Sequence, residues 1–286
     1  MADQDIDISA TAEAADVEMT GDALEDGENG EAGDKDNGDF DVDDTTKIKE
    51  TRDPQTIFLD HLKSPIVTLR IAEGNDQATL TAHQTILSQS PWFAKQLDLL
   101  EDEALELDLA DENLDAVGCF LQYQYTGEYF PRRMPSAPDG LETHASLPSI
   151  DNTGDQLLRH ARVYTLAEKL GLPELKSLAH SKIHRINSTA AGEIAYARYV
   201  YQNTPNDDKV IRRPVANFWA TRSHVLRHEA EDEFKAMCLE FPQFGFDVLS
   251  LVLDSREKRA HREEESTPSK VGAGSSRKRM RTMVNV

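Results

Sequence analysis

Two pairs of histidines, each four residues apart, have the most obvious capacity for chemistry in this sequence. His180 and His184 lie in the segment HSKIH, and His224 and His228 lie in HVLRH. Residues four apart share one face of a helix, so each pair could place two imidazoles on one Zn²⁺ ion. No HExxH pattern occurs, and no cysteine or carboxylate is obviously placed to complete four ligands. We therefore interpret both pairs as solvated helix faces and expect no metal cofactor.

The candidate nucleophiles and bases give little support to catalysis. Cys119 and Cys238 each lie among apolar residues without histidine-rich company, which indicates buried free thiols in a reducing compartment. His83 has no activated serine or cysteine in a recognisable setting, since the G-x-S-x-G pattern is missing. Neither GxxxxGK[ST] nor GxGxxG occurs, so nucleotide binding is not supported. We expect a protein that is not an enzyme and that uses no cofactor or small-molecule substrate.

The charge of the chain is distributed unevenly. The net charge of −21 includes 18 acidic and three basic residues within 1–50, a net −11 within 51–254 and a net +5 within 255–286. The acidic, aromatic-poor segment 1–55 cannot bury enough apolar surface to offset its chain entropy, so we predict a disordered tail. This tail would keep the protein soluble or attract basic partners. An acidic main domain repels phosphate backbones, which argues against nucleic-acid binding.

The two ends of the chain bear on localisation. The opening MADQDIDISA lacks the basic segment and apolar run of a secretory signal, and no run approaches the roughly 18 apolar residues of a membrane span. Near the other end, SSRKRMR predicts a nuclear-import signal, a plain charged end or a weak nucleic-acid contact within a flexible basic tail over 263–286. The basic residues of this segment are Arg277, Lys278, Arg279 and Arg281. We expect an intracellular protein, in the nucleus, the cytoplasm or both.

Periodicity predicts a mixed α/β arrangement before residue 130. The segment IVTLRIAEGNDQATLTAH predicts two strands around a turn, with Val67, Leu69 and Ile71 on one face. HQTILSQSPWFAKQL has helical spacing, and Pro91 can open its second helix. ALELDL predicts a further strand, and NLDAVGCFLQYQYTG predicts a helix that Gly127 ends.

Helices dominate the predictions for the rest of the chain. Residues 131–154 contain four prolines and no periodicity, which predicts a proline-rich, loop-like insertion. DQLLRHARVYTLAEKLGLPELKSLAHSKIHRI predicts a helix pair, in which Gly171 ends the first helix and Pro173 begins the second. Further helices are predicted over 187–262.

This order of elements, together with four motifs, resembles the BTB/POZ domain over residues 56–186. LTAHQTILSQSPWFAKQL is similar to the family pattern F-x-A-H-K-x-x-L-x-x-x-S-x-x-F, and the helix closing in Tyr-Thr-Gly and the segment VYTLAEKLGLPELK are similar to later family motifs. The segments SPWFAKQ and YTGEY are most similar to fungal members. The residues that carry the resemblance are His83, Ser90, Phe93, Tyr125, Thr126, Gly127, Tyr164 and Ala167.

The resemblance implies an α/β (α+β) BTB/POZ fold, a small mixed sheet flanked by helical hairpins, followed by an all-helical C-terminal extension. In the family the histidine that matches His83 is structural and packs where strand meets helix. FLQYQYTGEYFP is therefore interpreted as the closing turn of a helix and not as a ligand-stacking site. We expect Tyr125 to bury its ring with the hydroxyl hydrogen-bonded.

The resemblance also implies function. BTB domains are non-catalytic protein–protein interaction adaptors, often homodimeric, and some link a substrate protein to a cullin-based ubiquitin ligase. Leu99, Leu100 and Glu101 match the apolar-x-Glu motif with which such members contact the cullin scaffold. The same residues also fit an amphipathic helix end with a solvated acidic run, an interpretation that the pattern slightly favours. The alternative function is a nuclear, transcription-related regulator or a self-associating scaffold.

Overall fold

The computed structural model describes residues 53–73, 76–100, 105–134 and 137–266. Its strands are β1 (Ile66–Glu73), β2 (Asp76–His83), β3 (Glu106–Asp108), β4 (Arg133–Met134) and β5 (Ala137–Leu141). Its helices are α1 (Pro54–Lys63), α2 (Gln84–Leu87), α3 (Pro91–Leu97), α4 (Leu114–Thr126), α5 (Asp155–Leu170), α6 (Pro173–Ile183), α7 (Ala190–Asn203), α8 (Lys209–Glu229), α9 (Glu231–Glu240) and α10 (Pro242–Ser266). The predictions for Glu101, for the import segment with Arg277, Lys278, Arg279 and Arg281, and for nearly all of the acidic tail lie outside the described residues.

A three-stranded sheet in the order β2-β1-β3 forms the centre of the α/β part. β1 runs antiparallel to β2, with Ile66 opposite His83, and parallel to β3, with Leu69 opposite Leu107. The alternating residues Val67, Leu69 and Ile71 are completely buried, because one face of a strand takes every second side chain. Because β1 and β3 are parallel, the chain must cross over between β2 and β3, and this crossover contains α2 and α3. The predicted strands and the coarse mixed α/β class are confirmed.

The helix boundaries follow from local chemistry. Ser90 caps α3 by accepting a hydrogen bond from an amide of its first turn, and Pro91 is the first helical residue. Gly127 ends α4 at φ +74° and Gly171 ends α5 at φ +70°, a conformation that glycine adopts without a Cβ penalty. Pro173 begins α6. Each of these starts and stops was predicted from the sequence and is confirmed.

Other boundaries differ from the predictions. Residues 131–154 contain a short hairpin, in which β4 and β5 pair with Arg133 opposite Leu141, and are not entirely loop. β4 has two residues, both exposed, so no apolar alternation could reveal it. The predicted domain start, residue 56, falls inside α1, and α10 continues past the predicted end at residue 262 to Ser266.

Helices α7 to α10 follow the α5–α6 pair and share an aromatic cluster. The buried Trp219 of α8 stacks on Phe234 of α9 with ring centroids 5.3 Å apart, and the buried Phe244 of α10 meets both rings edge-on. Among the described helices, none is by itself long and apolar enough to span a membrane. The pair Glu231–Glu240 and Pro242–Arg262 meets the length and composition criteria together but is bent by 112°.

Candidate functional site

His83 and Tyr125 meet where β2 ends and α4 closes. The backbone N–H of His83 donates to the Tyr125 hydroxyl at 3.0 Å, and the Nδ1 atom of the ring lies 2.7 Å from the same oxygen. Tyr125 is half-buried, so the expected enclosure of its ring is only partly realised. The hydroxyl and the imidazole satisfy each other, and they join the end of β2 to the last turn of α4.

Ser90 and Phe93 connect α3 to the rest of the α/β part. The buried Ser90 Oγ donates to the carbonyl of Leu170 at 2.7 Å and accepts from the Phe93 amide at 3.3 Å. It thereby ties the start of α3 to the end of α5. Phe93 is completely buried and stacks on Phe120 with centroids 5.4 Å apart. Both residues hold helices in place.

The remaining signature residues have local structural contacts. The Thr126 hydroxyl donates to the carbonyl of Gln122 at 2.7 Å in the last turn of α4, immediately before Gly127. Tyr164 has a buried ring, and its hydroxyl donates to the carboxylate of Asp208 at 3.0 Å. Ala167 is completely buried on the same helix. The eight signature residues thus take part in helix ends, hydrogen bonds and core packing of the α/β part.

A buried lysine that the sequence did not single out organises the chain after α4. Lys182 of α6 is completely buried, and its Nζ lies 2.6 Å from a Glu128 carboxylate oxygen and 2.8 Å from the carbonyl oxygen of Pro131. It also donates to the carbonyl of Tyr129 and lies 3.5 Å from the centroid of that ring. Burial lowers the pKa of Lys182, against the effect of the Glu128 carboxylate. Although burial favours the neutral form of Glu128, its hydrogen bonds from Lys182 and the Tyr129 amide lower the pKa of that carboxyl.

Within FLQYQYTGEYFP, the tyrosine with the buried ring and hydrogen-bonded hydroxyl is Tyr129 and not Tyr125, for which this environment was expected. Its side chain is completely buried, and its hydroxyl lies 2.9 Å from Nδ1 of the buried His160. Burial lowers the pKa of His160 to about 3, and the positive charges of Lys182 and Arg159 act in the same direction. His160 is therefore a neutral hydrogen-bonding partner. The sequence feature that could have predicted the burial of His160 is its position beside Leu157 and Ala161 on the apolar stripe of α5.

The two histidine pairs have different environments. The Nε2 atoms of His180 and His184 are 3.2 Å apart, and that of His180 is also 3.1 Å from the carbonyl oxygen of Val210. The interpretation of a solvated face is therefore wrong for His180, which is half-buried against α8 because Val210 approaches it. His224 and His228 are exposed, as predicted. Within the described part of the chain, no group of three or more His, Cys, Asp or Glu residues could hold a metal ion.

The two cysteines are free thiols, and their predicted burial is confirmed for Cys119 but only in part for Cys238. Cys119 is buried in α4, and Cys238 is half-buried in α9. Burial raises the pKa of Cys119 to about 12, and the nearby Asp115 carboxylate adds to this effect. The nucleophilic thiolate is thus suppressed at neutral pH.

The candidate cullin motif lies at the end of α3. Leu99 is 71% exposed, whereas Leu100 is half-buried and packs against the core. The Leu99 amide donates to Gln96 at 3.1 Å, which continues the last turn of α3. Of the two motif residues that the structure describes, only Leu99 presents a free side chain.

Helix α1 has an apolar surface that the described part of the chain leaves uncovered. Ile57, Phe58, Leu59 and Leu62 are 41–43% exposed, and no residue of α1 is buried. The helix is nevertheless held in place, because the ring of His61 lies 3.0 Å from the Thr85 hydroxyl at the start of α2. We call these four side chains the α1 apolar surface. By its spacing, Leu62 shares one side of the helix with Phe58 and Leu59, and such grouped exposed apolar side chains are typical of surfaces that bind another protein.

Comparison with known proteins does not assign the chain to a family. No protein-family model matches it, and no curated protein is significantly similar to it. The class that the fold defines is a mixed α/β unit, in which helices surround a three-stranded sheet, with further helices C-terminal to it.

Proposed function

We propose that this protein is a non-catalytic protein–protein interaction adaptor built on a BTB/POZ-type domain. The order of elements supports the proposal: an antiparallel strand pair, two short helices, a third strand parallel to the first, a helix closed by Gly127, and a helix pair. The sequence resembles BTB/POZ domains in the same order. The signature residues have structural partners, which is consistent with a domain that binds and does not catalyse.

The α1 apolar surface is the observation that carries this proposal. Burying the exposed 41–43% of four large apolar side chains would contribute about 3 kcal/mol per copy. Association costs roughly 4–15 kcal/mol, so an interface must extend beyond these four residues. Ile66, which follows α1 and is 49% exposed, lies where such an extension would begin. A two-fold contact would bury the surface twice and therefore favours a homodimer.

The specific partner that we propose is a cullin scaffold of a ubiquitin ligase. Leu99 would enter an apolar pocket of the cullin, Glu101 would lie at its rim, and the helices after Ile186 would complete the platform. The 71% exposure of Leu99 at the end of α3 supports this role. Leu100 packs inward and would serve only to hold the turn.

Affinity purification of the tagged full-length protein with partner identification tests the proposal. We expect the cullin to co-purify and the double variant Leu99→Asp plus Glu101→Lys to lose it. Ile150→Asp is the control, because Ile150 is a 50% exposed apolar residue that lies outside both the motif and the helices after Ile186. Cullin binding that survives the double variant would remove Leu99 and Glu101 from the proposal. Failure to recover any cullin would refute the ligase role.

A self-associating scaffold is the second candidate, which the same α1 apolar surface favours. Light scattering of the full-length protein should give a dimer that Phe58→Asp dissociates. Phe246→Asp is the control, because Phe246 is exposed on α10. A dimer without cullin binding would favour the scaffold, and a monomeric wild type would refute self-association.

Removal of residues 277–281 from a tagged protein tests the predicted nuclear import, since unchanged localisation would exclude that segment as the signal.

A further inference from the structure

A cavity of about 290 Å³ lies between the segment after α6 and helices α7 and α8. Leu157, Ile183 and Val215 supply apolar walls. Its volume lies at the lower end of the roughly 300–1,000 Å³ range of ligand pockets, which points to a ligand smaller than most drugs. The cavity is remote in sequence from Leu99 and the α1 apolar surface, so binding of a ligand there does not depend on the adaptor proposal.

Glu193 is the unusual residue of this cavity. Its side chain lines the cavity in the first turn of α7, and the residue is only 8% exposed. Among the hydrogen bonds and ion pairs of the described residues, none involves its carboxyl group. Burial raises the pKa of Glu193 to about 7, the Asp151 carboxylate adds to the effect and Arg222 opposes it. A carboxyl that is largely withdrawn from water and has no protein partner is costly, and such groups concentrate at binding sites.

Arg222 supplies the opposite charge at the same cavity. It lines the cavity from α8, and its guanidinium lies 4.5 Å from the ring centroid of Phe218, which also lines it. The positive charge of Arg222 acts to lower the pKa of Glu193. The charged atoms of the two side chains are nevertheless more than 4.0 Å apart, which is too far for an ion pair. An acid and a base thus line one cavity without forming an ion pair with each other.

We propose that this cavity binds a small zwitterion of the α-amino-acid class. The ammonium group would donate to the Glu193 carboxylate, and the carboxylate would accept from the Arg222 guanidinium, which is suited to bidentate recognition. The apolar walls would take the side chain. A ligand with an ammonium but no carboxylate, such as a peptide lysine, should bind more weakly because it would make one charged contact instead of two and would place a second cation near Arg222.

Calorimetric titration of the full-length protein at pH 8 with each of the twenty amino acids tests the proposal. At least one should bind with a Kd below 10 mM. Glu193→Gln and Arg222→Gln should each weaken that binding at least tenfold. Arg227→Gln and Glu229→Gln are matched controls, because both residues are exposed on α8 and lie outside the cavity lining.

Two analogues of the best amino acid complete the test: the amine without the carboxylate and the acid without the amine. Each should bind at least tenfold more weakly than the zwitterion. Failure of all twenty amino acids to bind up to 10 mM would overturn the proposal. An amine that binds as tightly as the amino acid would also overturn it and would indicate a basic side chain of a partner. Arg222 is exposed, so the Arg222→Gln result does not depend on a change in folding.

Discussion

Replacing Glu193 by glutamine should stabilise the protein, and by an amount that depends on pH. The pKa of Glu193 rises from its ordinary 4.5 to about 7 in the folded protein. Because the folded pKa lies above the unfolded one, the folded state retains the proton between these values, and stability is lost as pH rises through 7. At 1.36 kcal/mol per pH unit, the loss amounts to about 3 kcal/mol above pH 8.

Glutamine has the shape of a protonated glutamate and does not titrate. Wild type and Glu193→Gln should therefore have nearly equal free energies of unfolding at pH 4.5, whereas at pH 9 the variant should be more stable by about 3 kcal/mol. The charged and titratable groups that face Glu193 are Asp151, Arg222, His184 and Tyr196. All are present in both proteins, so their own titration largely cancels in the difference.

Urea unfolding of both proteins at pH steps from 4.5 to 9, without added amino acids, measures this difference. Glu229→Gln is the control, because Glu229 is exposed, and its difference from wild type should stay flat with pH. A Glu193→Gln difference that is also flat would refute the reasoning. A glutamine variant less stable than wild type at pH 9 would do so too, since it would mean that the carboxylate has a favourable partner in the folded protein.

Two further predictions concern the chain around the end of α4. Lys182→Met should destabilise the protein by about 2–3 kcal/mol, because it leaves the carbonyl oxygens of Tyr129 and Pro131 without their donor, whereas the half-buried Glu128 keeps Arg133 at 3.3 Å. Lys235→Met, at an exposed position, should change stability by less than about 0.5 kcal/mol. Equal urea midpoints for the two variants would contradict this. Gly127→Ala should lower stability by about 1 kcal/mol because of its φ of +74°, whereas Gly118→Ala inside α4 should raise stability by about 1 kcal/mol. Neither added Cβ meets an atom within 4 Å, so the two variants differ only in the backbone conformation at the substituted residue. Thermal unfolding measures both effects, and a shift of the same sign in the two variants would contradict this prediction.

The parts of the fold that sequence reasoning predicted are those that depend on neighbouring residues. The alternation of Val67, Leu69 and Ile71 requires a strand with one buried face, whatever packs on it. The pair Ser90-Pro91 supplies both a cap and a residue suited to the first turn, so the start of α3 is determined by neighbouring residues. Gly127 ends α4 for a similarly local reason.

The features that could not be predicted depend on distant parts of the chain. Lys182 has the sequence context of a surface lysine, and only folding brings it to the carboxylate and carbonyl oxygens of residues 128–131. The sequence predicted a buried ring for Tyr125 and not for Tyr129, because the burial of Tyr129 depends on contacts with α5 and α6 and not on α4, which precedes it. Glu193 resembles an ordinary acid in a first helical turn, and its enclosure arises from the packing of α7 against α8.

The buried ammonium of Lys182 also has a consequence for the dynamics of the molecule. It is shared by oxygen atoms of Glu128, Tyr129 and Pro131, so this segment cannot move away from α6 without breaking all three of these contacts together. Local opening of the segment alone is therefore suppressed, and its exposure to solvent should accompany the unfolding of α6. The chain that leaves α4 and a helix about fifty residues later thus form one cooperative unit.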